Sequence, residues 1–102
     1  MSAVIGLPVL RLASGSFAGQ AYELRATLRI GRHPFNEISL ADLAVSRYHC
    51  WVALEDGRAV IEDLASGNGT FVNGDRLRSR RPLKTGDRIL VGNTQFVFAE
   101  ED

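Results

Sequence analysis

His49-Cys50-Trp51-Val52-Ala53-Leu54-Glu55-Asp56-Gly57-Arg58-Ala59-Val60-Ile61-Glu62-Asp63 is the stretch on which the fold turns. Two apolar runs of strand length, His49–Glu55 and Ala59–Asp63, flank Asp56-Gly57, a pair that supplies the positive φ of a tight antiparallel turn. The same arrangement repeats outward. Phe71-Val72 and Arg76-Leu77 flank Asn73-Gly74-Asp75, and Arg88–Val91 and Gln95–Ala99 flank Gly92-Asn93-Thr94. Toward the N-terminus, Leu7–Ala13, Ala21–Leu24, Leu28–Ile30 and Ile38–Leu40 read as further strands, with Ser14-Gly15-Ser16 as a turn and Ala41–Tyr48 as a loop. No window of helical length carries a 3.6-residue period. About ten short strands at this spacing predict an all-β, two-sheet sandwich, with Phe96 and Phe98 on one core face. The loops of a sandwich gather at its two ends, where a rigid scaffold limits the ordering cost of binding.

The bulk numbers narrow the function. A chain of 102 residues reads as one domain, 1–102, able to bury roughly 65% of its unfolded surface. Hydrophobic residues make up 45%, too many for a disordered chain. Twelve basic residues balance twelve acidic ones, which argues against nucleic acid as the partner, since such affinity comes from surplus Lys and Arg. A local basic excess does occur, with Arg76, Arg78, Arg80, Arg81, Lys84 and Arg88 against Asp75 and Asp87. It reads either as a solvated strand-and-loop surface or as a contact patch for an acidic partner. The single Cys50 allows no internal disulfide or cysteine-based zinc cluster, and its apolar strand places it in the core. Met1-Ser2-Ala3 has no basic lead-in, and Gly6 and Pro8 interrupt the apolar run Ala3–Leu10. The chain therefore reads as cytoplasmic, with no signal peptide, membrane span or membrane partner. Glu100-Glu101-Asp102 reads as a solvated tail or the start of a linker.

Two loop segments carry the chemistry: Gly31-Arg32 with Ser46-Arg47-Tyr48-His49, and Ser66-Gly67-Asn68-Gly69-Thr70. The planar fork of Arg32 can give two parallel charge-assisted hydrogen bonds to a phosphate, or it can pair with Glu37 or Asp42 on the surface. The Ser46 hydroxyl can donate to a phosphate oxygen or close a local turn. Arg47 can reach phosphate or peptide backbone. Asn68 offers both a donor and an acceptor to an extended peptide, and Gly67 and Gly69 allow close approach on either side of it, although Asn-Gly also makes simple turns. His49 reads as a structural histidine whose ring nitrogens pin neighbouring loops, and Thr70 as a support for its loop. Catalysis is not expected. Ser46, His49 and Asp63 are the ingredients of a triad, but there is no Gly-x-Ser-x-Gly elbow, and the Gly-Asn-Gly loop lacks the Lys of a P-loop. Neither a metal nor a cofactor is expected.

Taken in order, Ile30-Gly31-Arg32, Asn36-Glu37-Ile38-Ser39-Leu40, Asp42, Val45-Ser46-Arg47-Tyr48-His49-Cys50, Ile61-Glu62-Asp63-Leu64, Ser66–Gly74 and Leu83–Ile89 resemble the signature of forkhead-associated (FHA) domains. The resemblance covers about residues 7–99. It implies a β-sandwich of about eleven mostly antiparallel strands, with loops at one end that bind phosphothreonine in an extended segment of a partner, such as a Ser/Thr kinase or its substrate. By family position Arg32 and Ser46 hold the phosphate, Arg47 adds a phosphate or main-chain contact, and Asn68 binds the peptide backbone. Gly31, His49, Gly69 and Thr70 shape the site. Many family members carry a polar side chain immediately before the Asn68 position. Here Gly67 offers a backbone N–H instead. Residues after the phosphothreonine would be read by Asp42–Val45 and Gly92–Thr94, a rim small or apolar apart from Asp42 and Asn93, which implies a preference for apolar over acidic residues there. The alternative is a phosphorylation-independent assembly or scaffold domain within a larger bacterial protein, motivated by the basic segment and by apolar Leu43-Ala44-Val45.

Overall fold

A computed structural model describes residues 6–100. The readings of the first three residues and of 101–102 in the tail fall outside the described residues. Eleven strands form among them: β1 (Val9–Leu12), β2 (Ala21–Glu23), β3 (Thr27–Gly31), β4 (Ile38–Ser39), β5 (Cys50–Glu55), β6 (Arg58–Asp63), β7 (Thr70–Val72), β8 (Asp75–Arg76), β9 (Arg81–Pro82), β10 (Arg88–Val91) and β11 (Thr94–Ala99). They make a six-stranded sheet in the order β2-β1-β11-β10-β7-β8 and a five-stranded sheet in the order β4-β3-β5-β6-β9. Only the β3–β4 pair is parallel among the described pairings.

Period-2 alternation builds the core between the sheets. Phe96 and Phe98 on β11 and Leu28 and Ile30 on β3 are buried, while their neighbours Gln95, Thr27 and Arg29 face out. Val52 pairs with Ile61 across the β5–β6 hairpin, and both are fully buried. Each such side chain contributes about 1.5–3 kcal/mol relative to exposure. Cys50 is also fully buried, and that burial pushes its thiol up to about 12, well out of the reactive range.

The strands expected from sequence occur with shifted ends, and one was not expected. β9 pairs Val60 with Pro82 and Ile61 with Arg81 at the edge of its sheet, where proline's missing N–H costs no ladder bond. An Arg-Arg-Pro run carries no strand propensity of its own, so only the neighbouring β6 reveals it. The β7–β8 turn consists of Asn73-Gly74 alone, so β8 begins at Asp75, which pairs with Val72. The β10–β11 turn likewise shortens to Gly92-Asn93, and Thr94 joins β11 opposite Val91. The loops 32–37, 40–49, 64–69 and 92–93 meet at one end of the sandwich.

Candidate functional site

The end of β3 sets the first arm of the site. The Arg32 N–H donates to the Ser46 carbonyl at 3.0 Å and the His33 N–H to the Arg47 carbonyl at 3.1 Å, which zips the chain after β3 to the segment before β5. Gly31 is required at that seam, because a Cβ there would overlap the carbonyl carbon and oxygen of Arg47. Asn36, 6% exposed, clamps the same seam. Its Nδ2 donates to the carbonyls of His33 at 2.9 Å and Arg47 at 2.8 Å, while its Oδ1 is buried with no partner.

Arg32 itself is exposed and is anchored by one atom. Its Nε donates to the Val45 carbonyl at 2.5 Å, and its two terminal nitrogens have no partner among the described residues. The surface ion pair open to it in sequence does not form. Glu37 is taken by Arg29, with Oε1 2.9 Å from Nε and Oε2 2.8 Å from Nη2, and these hydrogen bonds lower the Glu37 carboxyl to about 2. Asp42 accepts from the amides of Ala44 at 2.9 Å and Asn93 at 2.8 Å and from the Thr94 hydroxyl at 3.0 Å. It thereby ties the 40–49 loop to the β10–β11 turn.

His49 is fully buried beneath both arms. The Ser46 N–H donates to its Nδ1 at 3.0 Å, so the ring proton sits on Nε2 and donates to the Gly69 carbonyl at 2.8 Å. Ser46 Oγ accepts the Gly67 N–H at 3.0 Å. That bond uses an oxygen lone pair and leaves the hydroxyl proton to donate elsewhere. Gly67 thus spends its N–H on orienting Ser46. Asn68 Nδ2 donates to the Ala44 carbonyl at 2.8 Å, leaving its oxygen and its second N–H unengaged. Arg47 is exposed with no side-chain partner among the described residues.

The second arm hangs from Asp63. Its Oδ1 accepts the hydroxyls of Ser66 at 2.5 Å and Thr70 at 2.6 Å, and its Oδ2 accepts the Ser66 N–H at 3.0 Å. Ser66 Oγ in turn accepts the Gly69 N–H at 2.9 Å. Burial alone would raise the Asp63 carboxyl, but the Ser66 and Thr70 donors outweigh it and hold the group below its usual range. Thr70 is fully buried in this network. Asp63, Asn36 and Asp42 carry none of the roles read from the sequence. For Asp63 the local spacing offered a clue, since an Asp three residues before a Ser suits a side-chain-closed turn. For Asp42, local spacing could show at most the turn to Ala44, because its other partners lie 51 and 52 residues on.

Three groups stand together on the rim, the free guanidinium end of Arg32, the Ser46 hydroxyl and the Asn68 amide, and exposed Arg47 follows Ser46 directly in the chain. With Arg47 they could offer a ligand two permanent positive charges and several hydrogen-bond donors. No triad assembles, because His49 receives the backbone N–H of Ser46 and not its hydroxyl, and Asp63 is spent on Ser66 and Thr70. Among the described residues no group of three or more His, Cys, Asp or Glu could hold a metal, and no helix is long and apolar enough to cross a membrane.

Comparison with known proteins gives the same outline. The FHA domain family matches residues 28–92. The chain is 38% identical over 96 residues to the oxoglutarate dehydrogenase inhibitor of Corynebacterium diphtheriae, covering 93% of this chain and 66% of that protein. It is 38% identical over 103 residues to the glycogen accumulation regulator GarA of Mycolicibacterium smegmatis, covering 96% of this chain and 65% of that protein. It thus spans just under two-thirds of the length of these curated relatives. A structure from a study of phosphothreonine-dependent FHA domain interactions superposes with a TM-score of 0.84 at 32% identity, covering 93% of this chain and 97% of that one. EmbR of Mycobacterium tuberculosis in complex with a low-affinity phosphopeptide superposes with a TM-score of 0.86 at 34% identity, covering 94% of this chain and 25% of that one.

Proposed function

The chain belongs to the FHA domain family, and we propose that it is a phosphothreonine-dependent interaction module, a regulatory reader and not an enzyme. The observation that carries this is the pairing of Arg32 with Ser46. A 3.0 Å backbone bond holds the two side by side, and neither Arg32's terminal nitrogens nor the Ser46 proton is spent on the protein itself.

In this reading Arg32 clamps two phosphate oxygens, the Ser46 hydroxyl donates to a third position, and Arg47 adds a second positive charge. Gly67 serves through Ser46, whose hydroxyl it orients. Asn68 pairs with the peptide backbone beside the phosphothreonine, and the 66–70 loop walls the space for the threonine methyl. A phosphate carries about −1.5 to −2 charge near neutral pH. Each hydrogen bond to it is worth roughly 1.5–3 kcal/mol, so the site gains far more from phosphothreonine than from bare threonine. The partner is a phosphothreonine-bearing protein in the cytoplasm, a Ser/Thr kinase or its substrate, and residues 1–102 form one domain. Two of its relatives are named for restraining or regulating metabolism, which fits a phosphorylation-controlled regulator. Downstream of the phosphothreonine the preference is apolar. Leu43 is 92% exposed on that rim, while Asp42 and Asn93 are bonded to each other.

The test is fluorescence anisotropy with matched peptide pools carrying phosphothreonine, phosphoserine or plain threonine, read against the wild type and Arg32→Ala. Selective phosphothreonine binding, weakened about a hundredfold or more in the variant, is the expected result. Equal binding to phosphorylated and bare pools overturns the proposal. Partner binding that survives both Arg32→Ala and Ser46→Ala favours the phosphorylation-independent scaffold, for which exposed Leu43 is the specific observation.

A further inference from the structure

Arg76, on the edge strand β8, lies across the flank of the 66–70 loop opposite the 42–45 rim. A Cβ on Gly69, whose φ is +86°, would come within 2.7 Å of Arg76 Nε and 2.9 Å of its guanidinium carbon. Asn68 is bonded to Ala44 on one side, and the residue after it touches Arg76 on the other. Arg78, two residues on, is exposed, and a shallow cleft of about 290 Å³ runs along Arg76, Leu77, Arg78 and Ser79.

Unlike the neighbouring Arg80 and Arg81, these two arginines lack counter-charges. Arg80 is bonded to Glu55 and Glu62 at 2.7 Å each and lies over the Trp51 ring at 5.1 Å. Arg81 has Asp75 at 3.7 Å. Neither Arg76 nor Arg78 has a carboxylate within ion-pair distance among the described residues; of the two carboxylates that line a neighbouring cleft with Arg78, Asp63 is committed to Ser66 and Thr70 and Glu62 to Arg80. A chain with zero net charge therefore carries two unneutralised guanidinium groups beside its binding loop.

We propose that Arg76 and Arg78 form a second anion-reading patch, continuous with the first site across Gly69. It takes a further acidic group, either a second phosphorylated residue or an Asp or Glu, on the same partner segment before the phosphothreonine, the residues after it being met by the 42–45 rim. The inference rests on the phosphothreonine reading and sharpens it. An extended peptide advances about 3.3 Å per residue, so a side chain about two to four residues from one fixed at Arg32 and Asn68 clears the loop and arrives at Arg76. Arginine suits the task because its planar fork meets carboxylate and phosphate alike.

The experiment measures anisotropy with three sets of peptides: one phosphothreonine alone, the same peptide with Glu placed two to four residues before the phosphothreonine, and the same with a second phosphothreonine at those positions. The proteins are the wild type, Arg32→Ala, and the double variant Arg76→Gln/Arg78→Gln, whose glutamines keep the stem over Gly69 and lose the charge. The best doubly acidic peptide should bind the wild type about tenfold more tightly than the singly phosphorylated one. In the double variant that ratio should fall to about one while affinity for the singly phosphorylated peptide is kept. The Glu and phosphate sets separate the two sources of charge. A ratio near one in the wild type, or a ratio unchanged in the double variant, overturns the patch. Failure of the wild type to bind any phosphopeptide overturns the reader itself and the patch with it, whereas loss in Arg32→Ala alone leaves both standing.

Discussion

At the end of the sandwich remote from Arg32, β5 turns into β6 through Asp56-Gly57 and β7 into β8 through Asn73-Gly74. All four residues have positive φ, at 53° and 78° in the first turn and 52° and 86° in the second. Their own backbone conformation reverses the chain, and the second is held further by Asn73, whose Nδ2 donates to Asp87 at 2.9 Å and whose Oδ1 accepts the Arg88 N–H at 2.9 Å. At the Arg32 end the segments before β4 and β5 and between β6 and β7 are held by buried or half-buried polar side chains that reach across the chain. Asn36 bonds Arg47, His49 joins Ser46 to Gly69, and Asp42 bonds Asn93. At one end the turns are legible in their own residues and reverse the chain. The other exists only when distant segments have arrived, and it carries the binding groups. Substitutions at the first should therefore cost stability alone, and substitutions at the second should cost binding as well.

His49→Ala should have the largest effect. It leaves the Ser46 N–H and the Gly69 carbonyl unpaired in the interior, with a cavity between the two arms. A loss of about 3–4 kcal/mol in urea unfolding is expected, with phosphopeptide binding abolished under conditions where the variant is still folded. Full binding in a folded His49→Ala protein would break the comparison. Asp63→Ala comes next. It removes the acceptor of three hydrogen bonds, and about 2–3 kcal/mol of stability and about tenfold in peptide affinity should go with it. Thermal unfolding and anisotropy on the same sample would show both.

Gly57→Ala tests the other end. A side chain is strained at φ 78° but meets nothing within 4 Å, so about 1 kcal/mol should be lost with no change in peptide affinity. A change in affinity would mean that the two ends are coupled. Glu37→Gln is the smallest and the subtlest. The Glu37 carboxyl is depressed from its ordinary value of 4.5 to about 2 by Arg29, so its contribution is complete above about pH 4.5 and is lost as pH falls toward 2. The pair is exposed enough that the effect at neutral pH is slight. Melting temperatures of wild type and variant should accordingly be close at about pH 2, where the wild type has lost the pair too, and separate modestly as pH rises through about 4.5. A gap that instead widens on acidification would reverse the assigned sign.

The same division explains what could be read from the sequence. The hairpins through Asp56-Gly57 and Asn73-Gly74 and the alternation of Phe96 and Phe98 are local, and the sandwich followed from them. The ordered FHA-like segments brought Arg32, Ser46 and Asn68 together on one rim. The supports were harder to see. Nothing near Asp42 foretells a bond to Thr94, and Glu37 stood as a candidate partner for Arg32 until β3 and β4, lying in parallel, set it against Arg29. No strand is legible at Arg81-Pro82, because its strand character is borrowed from β6.

The place of β11 has a consequence in time. This last strand lies between β1 and β10, in the interior of the six-stranded sheet, and the turn before it holds Asp42. During synthesis Arg32, Ser46 and Asn68 all leave the ribosome before Thr94 does. The sheet cannot close without its final strand, so the nascent chain holds every binding group while lacking the scaffold that aligns them. Topologies dominated by such remote pairings fold in about milliseconds to seconds, late compared with local hairpins. The competence to bind therefore arises in one step as the domain completes, which keeps half-made chains from occupying phosphorylated partners.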